Sequence, residues 1–490
     1  MSGGFPGEIE HIVVLMLENR SFDSILGALY PHGPNFEGLK FDGSMANEHA
    51  GTTYAVRPVS GDAWCTTPTP DPGESFVDMT LQLFDTTEPP AGAVATMRGF
   101  VDDYAATHEE YPQLPDGFPW PDLPRKNAAP GDVMAAFTES QLPVTTLLAK
   151  SFGVSDAWFA SCPTQTYPNR FFASCATSGG YVDDTDYFLH LELLPKLTSV
   201  FELLDAGGGP NAAKWKVYYH DIPLSAMNEY VSLALLLHDN VAHFDRSDFS
   251  SDRRRTFQED VAARTLPQYS FIEPRYGLPL ATLPVNSNHP PFDVRFGERL
   301  LADVYNTLRA SDYYWPRTLL IITYDEHGGI FDHVIPPAAT PPGVPPLRSP
   351  SSFAFDRYGV RVPAILVSPY IAPGSVIRPA DFAFVAGSGT ATTNGITPFD
   401  HTSIIRSVVE CFNITQNGRL ANLTQRDLNA PSLANAFTLN GTNPNDGLPS
   451  IAPSFPPCVA QGEIAPPSHL ATIAAQMLAR HLPHLRVIGL

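Results

Sequence analysis

Five short, nearly uninterrupted apolar runs constrain this chain most: Ile12 to Leu17, Trp215 to Tyr219, Tyr269 to Ile272, Leu319 to Thr323 and Ala364 to Ser368. Runs without polar alternation read as strands covered on both faces, which is the habit of parallel sheets flanked by helices. Between the third and fourth, Val294, Leu300, Leu301, Val304 and Leu308 recur at roughly helical spacing and predict a helix from Phe292 to Ala310. The alternation predicts an α/β fold built on a mostly parallel sheet.

Two of the runs empty into polar blocks more than 300 residues apart: Glu18-Asn19-Arg20-Ser21-Phe22-Asp23 and Tyr324-Asp325-Glu326-His327-Gly328-Gly329. Ligands of open α/β sheets bind beyond the carboxyl ends of the strands, so both blocks can meet in one site. Their carboxylate and amide oxygens would then converge without a nearby lysine, and a metal ion is the simplest way to stabilise that arrangement. An Asp-Glu pair after a strand is, taken alone, more often a helix cap or a solvated turn. The second block at another strand end reverses that preference.

Proline, 49 residues of 490, clusters at Pro68 to Pro72, Pro112 to Pro130, Pro336 to Pro350 and Pro453 to Pro467. These stretches exclude helix and central strand and read as long ordered insertions. The scaffold is expected in residues 1–412, with 413–490 a loop-rich appendage packed on it and ending in a helix from His469 to Leu482.

A formal net charge of −21 excludes an electrostatically driven nucleic-acid binder and tight adsorption to an anionic membrane through a basic patch. No run of 18 apolar residues predicts a transmembrane helix. The first ten residues lack the features of a secretory signal, so the chain as written reads as cytoplasmic, or as an exported mature form restarted with Met. Five cysteines without CxxC spacing read as mostly buried thiols, with one or two disulfides as the alternative.

A third block, Ser161-Cys162-Pro163-Thr164-Gln165-Thr166-Tyr167-Pro168-Asn169-Arg170, is expected to form a rigid turn suited to gripping a phosphoryl group. Thr166 becomes a nucleophile only where a metal lowers the pKa of its hydroxyl; alone it is usually a turn residue. Asn169 and Arg170 can donate to phosphate oxygens, although Arg170 could equally lock the turn from outside.

With Asn288-His289-Pro290, Asp332-His333 and Phe399-Asp400-His401-Thr402-Ser403 added in order, these blocks resemble the phosphoesterase family that contains bacterial and plant nonspecific phospholipases C and certain bacterial acid phosphatases. The resemblance covers roughly residues 8–410. It implies an alkaline-phosphatase-like α/β/α sandwich and one divalent metal ion held by Glu18, Asn19, Asp325 and Glu326, with Thr166 as nucleophile beside it. His289 looks like the histidine that protonates the leaving oxygen or binds the phosphoryl group, and His220 is a looser match to another active-site histidine. His327 and His333 lie near the ligand motif and are candidates for the same pocket.

One departure concerns the substrate. Plant members usually read Asp-Pro-Gly-His-Ser where this chain has Asp71-Pro72-Gly73-Glu74-Ser75. A pocket-facing Glu74 would disfavour a dianionic phosphate, favour a monoanionic diester, or contribute to the metal. An oxygen-rich donor set favours Ca²⁺, Mg²⁺ or Mn²⁺. The expected activity is phospholipase C-type hydrolysis through a phosphothreonine, with broad acid phosphatase activity or a catalytically silent headgroup-binding protein as alternatives. The loop Leu114 to Trp120 is a candidate lipid-facing rim. Structural roles compete at several positions. His289 could cap the following helix, His220, His327, His333 and His401 could simply hydrogen-bond, and Arg20 with Asp23 is expected to form a local salt bridge.

Overall fold

The computed structural model describes residues 4–109, 129–184, 196–206, 214–247, 252–277, 283–346, 353–384, 391–392, 396–439, 441 and 448–458. The rim loop at 114–120 and the helix expected at 469–482 lie outside the described residues.

Eight strands form the central sheet: β1 (His11–Leu17), β2 (Gly153–Ser155), β3 (Trp215–Tyr219), β4 (Val241–His243), β5 (Tyr269–Glu273), β6 (Thr318–Tyr324), β7 (Ala364–Val367) and β8 (Ser375–Val376). Their order is β8-β2-β7-β6-β1-β5-β3-β4. Every pairing is parallel except the two made by β7. All residues of β1 and β6 are buried, as uninterrupted apolar strands at the centre of a doubly covered sheet must be. The five strands and the long helix expected from periodicity are present within two residues at each end. The short strands β2, β4 and β8 carry too few residues to show a period.

Six helices matter below: α1 (Phe22–Ile25), α2 (Phe76–Phe84), α3 (Pro143–Ser151), α4 (Thr166–Cys175), α5 (Val294–Arg309) and α6 (Thr402–Cys411). Asp293 caps α5 through Arg295 N, and Val294, Leu300, Leu301, Val304 and Leu308 form its buried stripe. Glu298 on that helix is also buried. It accepts from the N–H groups of Val144 (2.6 Å) and Thr145 at the start of α3, supplying an acceptor that this helix end lacks locally. Desolvation pushes the Glu298 carboxyl up to about 7.

Cys65 and Cys458 form a disulfide 393 residues apart in sequence, realising the alternative to free thiols; Cys162 and Cys175 are buried thiols. Arg426 is buried and donates to Ser161 O (2.9 Å) and Phe355 O (2.7 Å), with Asp400 Oδ2 at 3.4 Å. It thereby braces the loop that leads into α4.

Candidate active site

Strands β1 and β6 are parallel neighbours with Leu17 opposite Tyr324, so the next residue on each chain enters the same space at the carboxyl edge. Asp325 N donates to Leu17 O (3.2 Å), Asn19 N to Asp325 Oδ1 (3.2 Å) and Arg20 N to Glu326 O (3.1 Å). Glycine is required for this closeness. Gly328 sits at φ +64°, and a Cβ there would lie 2.2 Å from Asn19 O. Gly328 N also donates to Glu326 Oε2 (2.6 Å).

The third block arrives on α4. Thr166 to Arg170 form its first turn rather than an isolated turn, and Pro168 is tolerated there because the first N–H groups of a helix have no intrahelical acceptor. Asp184 supplies an external acceptor for Tyr167 N (2.9 Å). Arg170, one turn after Thr166 and on the same helix face, donates Nε to Asp325 Oδ2 (3.0 Å) and places Nη2 3.5 Å from Glu18 Oε1. The guanidinium therefore bridges the two strand ends, and its Nη1 has no hydrogen-bond partner among the described residues.

A fourth segment closes the site. Asn19 Nδ2 donates to Glu74 Oε1 (2.6 Å), so Glu74 does face the pocket. His289 places Nε2 3.5 Å from Glu74 Oε1 and Nδ1 3.5 Å from Asp71 Oδ1. Arg20 is not paired with Asp23, contrary to expectation. It donates to Asn288 O (2.7 Å) and Thr67 O (2.6 Å), clasping the segments that deliver His289 and Asp71. Burial lowers its pKa to about 10. Asp23 instead accepts from His333 and Arg361 because α1 carries it away from the guanidinium of Arg20.

The electrostatics are lopsided. Burial pushes the carboxyls of Glu18, Glu74 and Glu326 well above the usual carboxylate range. Arg170 partly offsets this for Glu18, whereas neighbouring carboxylates add to it for Glu74 and Glu326. Burial also raises Asp184 well above its ordinary value and raises Asp325.

Several buried oxygens lack partners. Thr166 Oγ1, Asn19 Oδ1 and Glu326 Oε1 make no hydrogen bond among the described residues. Neither Glu18 oxygen has one of normal geometry, although Ser287 and Arg170 lie beside it. Clustered unpaired anionic oxygens are costly unless a cation neutralises them, so the donor set fits a hard divalent ion. Asp325 is the least available of the four expected ligands, since its oxygens already accept from Asn19 N, Glu326 N and Arg170. Glu18, Asp325 and Glu326 are not among the described side-chain sets whose ligand atoms all lie within 4.8 Å; Asp71, Glu74 and His289 are.

Other expected residues are engaged by partners of their own. Asn169 spends its side chain on the loop before α4. Its Nδ2 donates to Thr164 O (2.7 Å), and its Oδ1 accepts from Cys162 N (3.1 Å). His327 has Nε2 2.7 Å from Gln82 Oε1 on α2 and Nδ1 3.6 Å from Glu326 Oε2, so it borders the ligand block, and desolvation lowers it to about 3, leaving it neutral. His220 has Nδ1 3.3 Å from Glu273 O and Nε2 3.8 Å from Asp245 Oδ2. His333 turns to Asp23 (2.6 Å) and Glu37 (3.2 Å). His401, expected as part of a motif or as a structural hydrogen-bonding residue, donates Nε2–H to Asp325 O (2.6 Å) and is held near 4 by burial. Asp184 carried no motif signal. Asp71 was visible only beside Glu74.

The sequence profile of the Phosphoesterase family matches residues 9–415. Non-specific phospholipase C1 of Arabidopsis thaliana is 33% identical over 97% of this chain and 81% of its own length. Phospholipase C B of Mycobacterium tuberculosis is 28% identical over 94% of this chain and 85% of its own. Among solved structures, an alkaline phosphatase superfamily protein from Vibrio parahaemolyticus is 12% identical with a TM-score of 0.35, covering 61% of this chain and 66% of that one.

Proposed function

The chain belongs to the phosphoesterase family and is a phosphoric ester hydrolase, and from that premise we propose that it cleaves phospholipid diesters in the manner of a phospholipase C, using Thr166 as nucleophile and one divalent cation. The carrying observation is Arg170: by touching Asp325 and approaching Glu18, it ties the Thr166 end of α4 to the carboxylates of both strand ends.

Glu18, Asn19, Asp325 and Glu326 would hold the cation, which when bound would neutralise phosphoryl charge and acidify the Thr166 hydroxyl. Thr166 Oγ gives its proton up to solvent and forms a bond to phosphorus while the bond from phosphorus to the diacylglycerol oxygen breaks. His289 donates a proton to that departing oxygen. Water then attacks phosphorus and yields a proton to the His289 left neutral by the first step, while the bond from phosphorus to Thr166 Oγ breaks, the threonine oxygen regains its proton from solvent, and the phosphorylated headgroup leaves. Arg170 Nη1, without a hydrogen-bond partner among the described residues, would donate to a phosphoryl oxygen.

Glu74 supports a diester over a monoester. Its side chain, against Asn19 and near His289, offers no positive charge to offset the second charge of a phosphate monoester, which a singly charged diester lacks. The Cys65–Cys458 disulfide supports a working compartment that is oxidising.

Acid quench of the enzyme turning over phosphatidylcholine should trap a phosphocholine adduct on Thr166, with diacylglycerol released. Thr166→Ala should show neither. Diacylglycerol release by Thr166→Ala at the wild-type rate would overturn the mechanism. Turnover of only a small soluble monoester would replace the substrate assignment with an acid phosphatase.

A further inference from the structure

A second charged cluster lies on the flank of the same two loops and takes no part in the chemistry above. Arg361 is fully buried and donates to Asp23 Oδ1 (3.0 Å) and Asp332 Oδ1 (3.0 Å). His333 has Nδ1 2.6 Å from Asp23 Oδ2 and Nε2 3.2 Å from Glu37 Oε1. His32 has Nδ1 2.9 Å from Gly38 O and 3.8 Å from Glu37 Oε1. One ring nitrogen from each histidine and one Glu37 oxygen all lie within 4.8 Å of one another.

We propose that His32, Glu37 and His333 form a second divalent-cation site, chemically distinct from the oxygen-rich site and suited to Zn²⁺ or an ion like it. Two imidazoles and one carboxylate are a borderline donor set that Ca²⁺ and Mg²⁺ do not prefer. His333 is already oriented as a ligand is, with a carboxylate fixing Nδ1 and Nε2 turned to the common centre. Around a tetrahedral Zn²⁺, ligand atoms stand roughly 3.4 Å apart. The His333 to Glu37 separation meets that distance, and His32 Nδ1, 3.8 Å from Glu37 Oε1, would exchange its contact with Gly38 O for the ion. Its side chain is 15% exposed, against 5% for Glu37 and 7% for His333, so the closing ligand is the one with most freedom. Arg361 and a proton on His333 offset two of the three carboxylates Asp23, Asp332 and Glu37, and the ion would take that proton's place. Binding would pin the segment after α1 to the loop after β6, bracing both loops that carry the catalytic blocks.

The test counts Zn²⁺ bound to the full-length protein after chelation and dialysis against Zn²⁺, for wild type, His32→Ala, Glu37→Gln and Glu326→Gln. His32→Ala and Glu37→Gln should each bind one equivalent less than wild type. Co²⁺ should give a visible ligand-field absorption that both variants lose and Glu326→Gln keeps. Circular dichroism of the metal-free proteins separates ligand loss from misfolding, and two ligand variants guard against one failing to fold. Wild-type stoichiometry and spectrum in the folded ligand variants would overturn the proposal, as would loss of the Co²⁺ band in Glu326→Gln. None of these outcomes depends on whether Thr166 is the nucleophile.

Discussion

Replacing Arg170 with methionine tests the charge balance at the heart of the active site. The guanidinium is the cation shared by Asp325 Oδ2 at 3.0 Å and Glu18 Oε1 at 3.5 Å, and all three side chains are buried. Removing one partner of a buried pair costs about 3–5 kcal/mol, because the remaining charge stays desolvated. At about 2 °C per kcal/mol, appropriate to a large chain, Arg170→Met should melt about 6–10 °C below wild type in chelator. The loss depends on pH in a definite direction. Glu18 already has its pKa raised, so its folded form binds protons more tightly than its unfolded form, and without Arg170 this difference grows. The variant should therefore lie closer to wild type at pH 5 than at pH 8. A divalent cation should restore more stability to Arg170→Met than it adds to wild type, since it supplies the missing positive charge. Calorimetry at two pH values, with and without cation, reads all of this. A melting point within about 1 °C of wild type in chelator at pH 8 would refute the reasoning, because the bridge would then carry no net energy.

Gly328→Ala adds a Cβ 2.2 Å from Asn19 O at a positive φ, so it should destabilise the fold by about 1–3 kcal/mol and lower turnover more than tenfold; wild-type kcat would show that the two loops need not approach so closely. His401→Phe removes the donor to the Asp325 carbonyl, at a cost of about 1–3 kcal/mol. Because His401 is neutral above about pH 4, the shape of the rate profile from pH 5 to 7 should not change, which steady-state kinetics will check. In metal-free protein, Asp23 and Glu37 raise His333 from 6.5 to about 9 against the opposing effect of burial. A raised histidine stabilises fully below its unfolded pKa, so about 3 kcal/mol should be lost as pH rises from 6.5 through 9. Denaturant midpoints should fall across that window in wild type and stay flatter in His333→Gln.

The fold was readable where the sequence repeats one physical instruction, as in the unbroken apolar runs of β1 and β6. The meeting of Glu18-Asn19 with Asp325-Glu326 followed from those runs once both ended at the same edge. Roles set by side-chain direction were less legible. Asn169 lies three residues after Thr166, yet its amide folds back onto Cys162 and Thr164. His333 is close in sequence to Glu326, but it points to Asp23 and Glu37 beyond the tight turn at Gly328 and Gly329, both at positive φ. Asp184 offered no pattern at all; only the folded chain places it at the start of α4. The Cys65–Cys458 disulfide joins positions whose proximity depends on everything folded between them.

The pairing of Leu17 with Tyr324 also carries a kinetic meaning. The Asn19 amide and the Asp325 carboxylate that it contacts are 306 positions apart, so their encounter awaits closure of nearly two thirds of the polypeptide. A slip of one residue between these neighbours would turn every side chain of one strand to the opposite face. Hydrolytic competence in a refolding experiment should thus emerge only with the last cooperative step, making enzymatic activity a stricter reporter of native register than recovered helix signal.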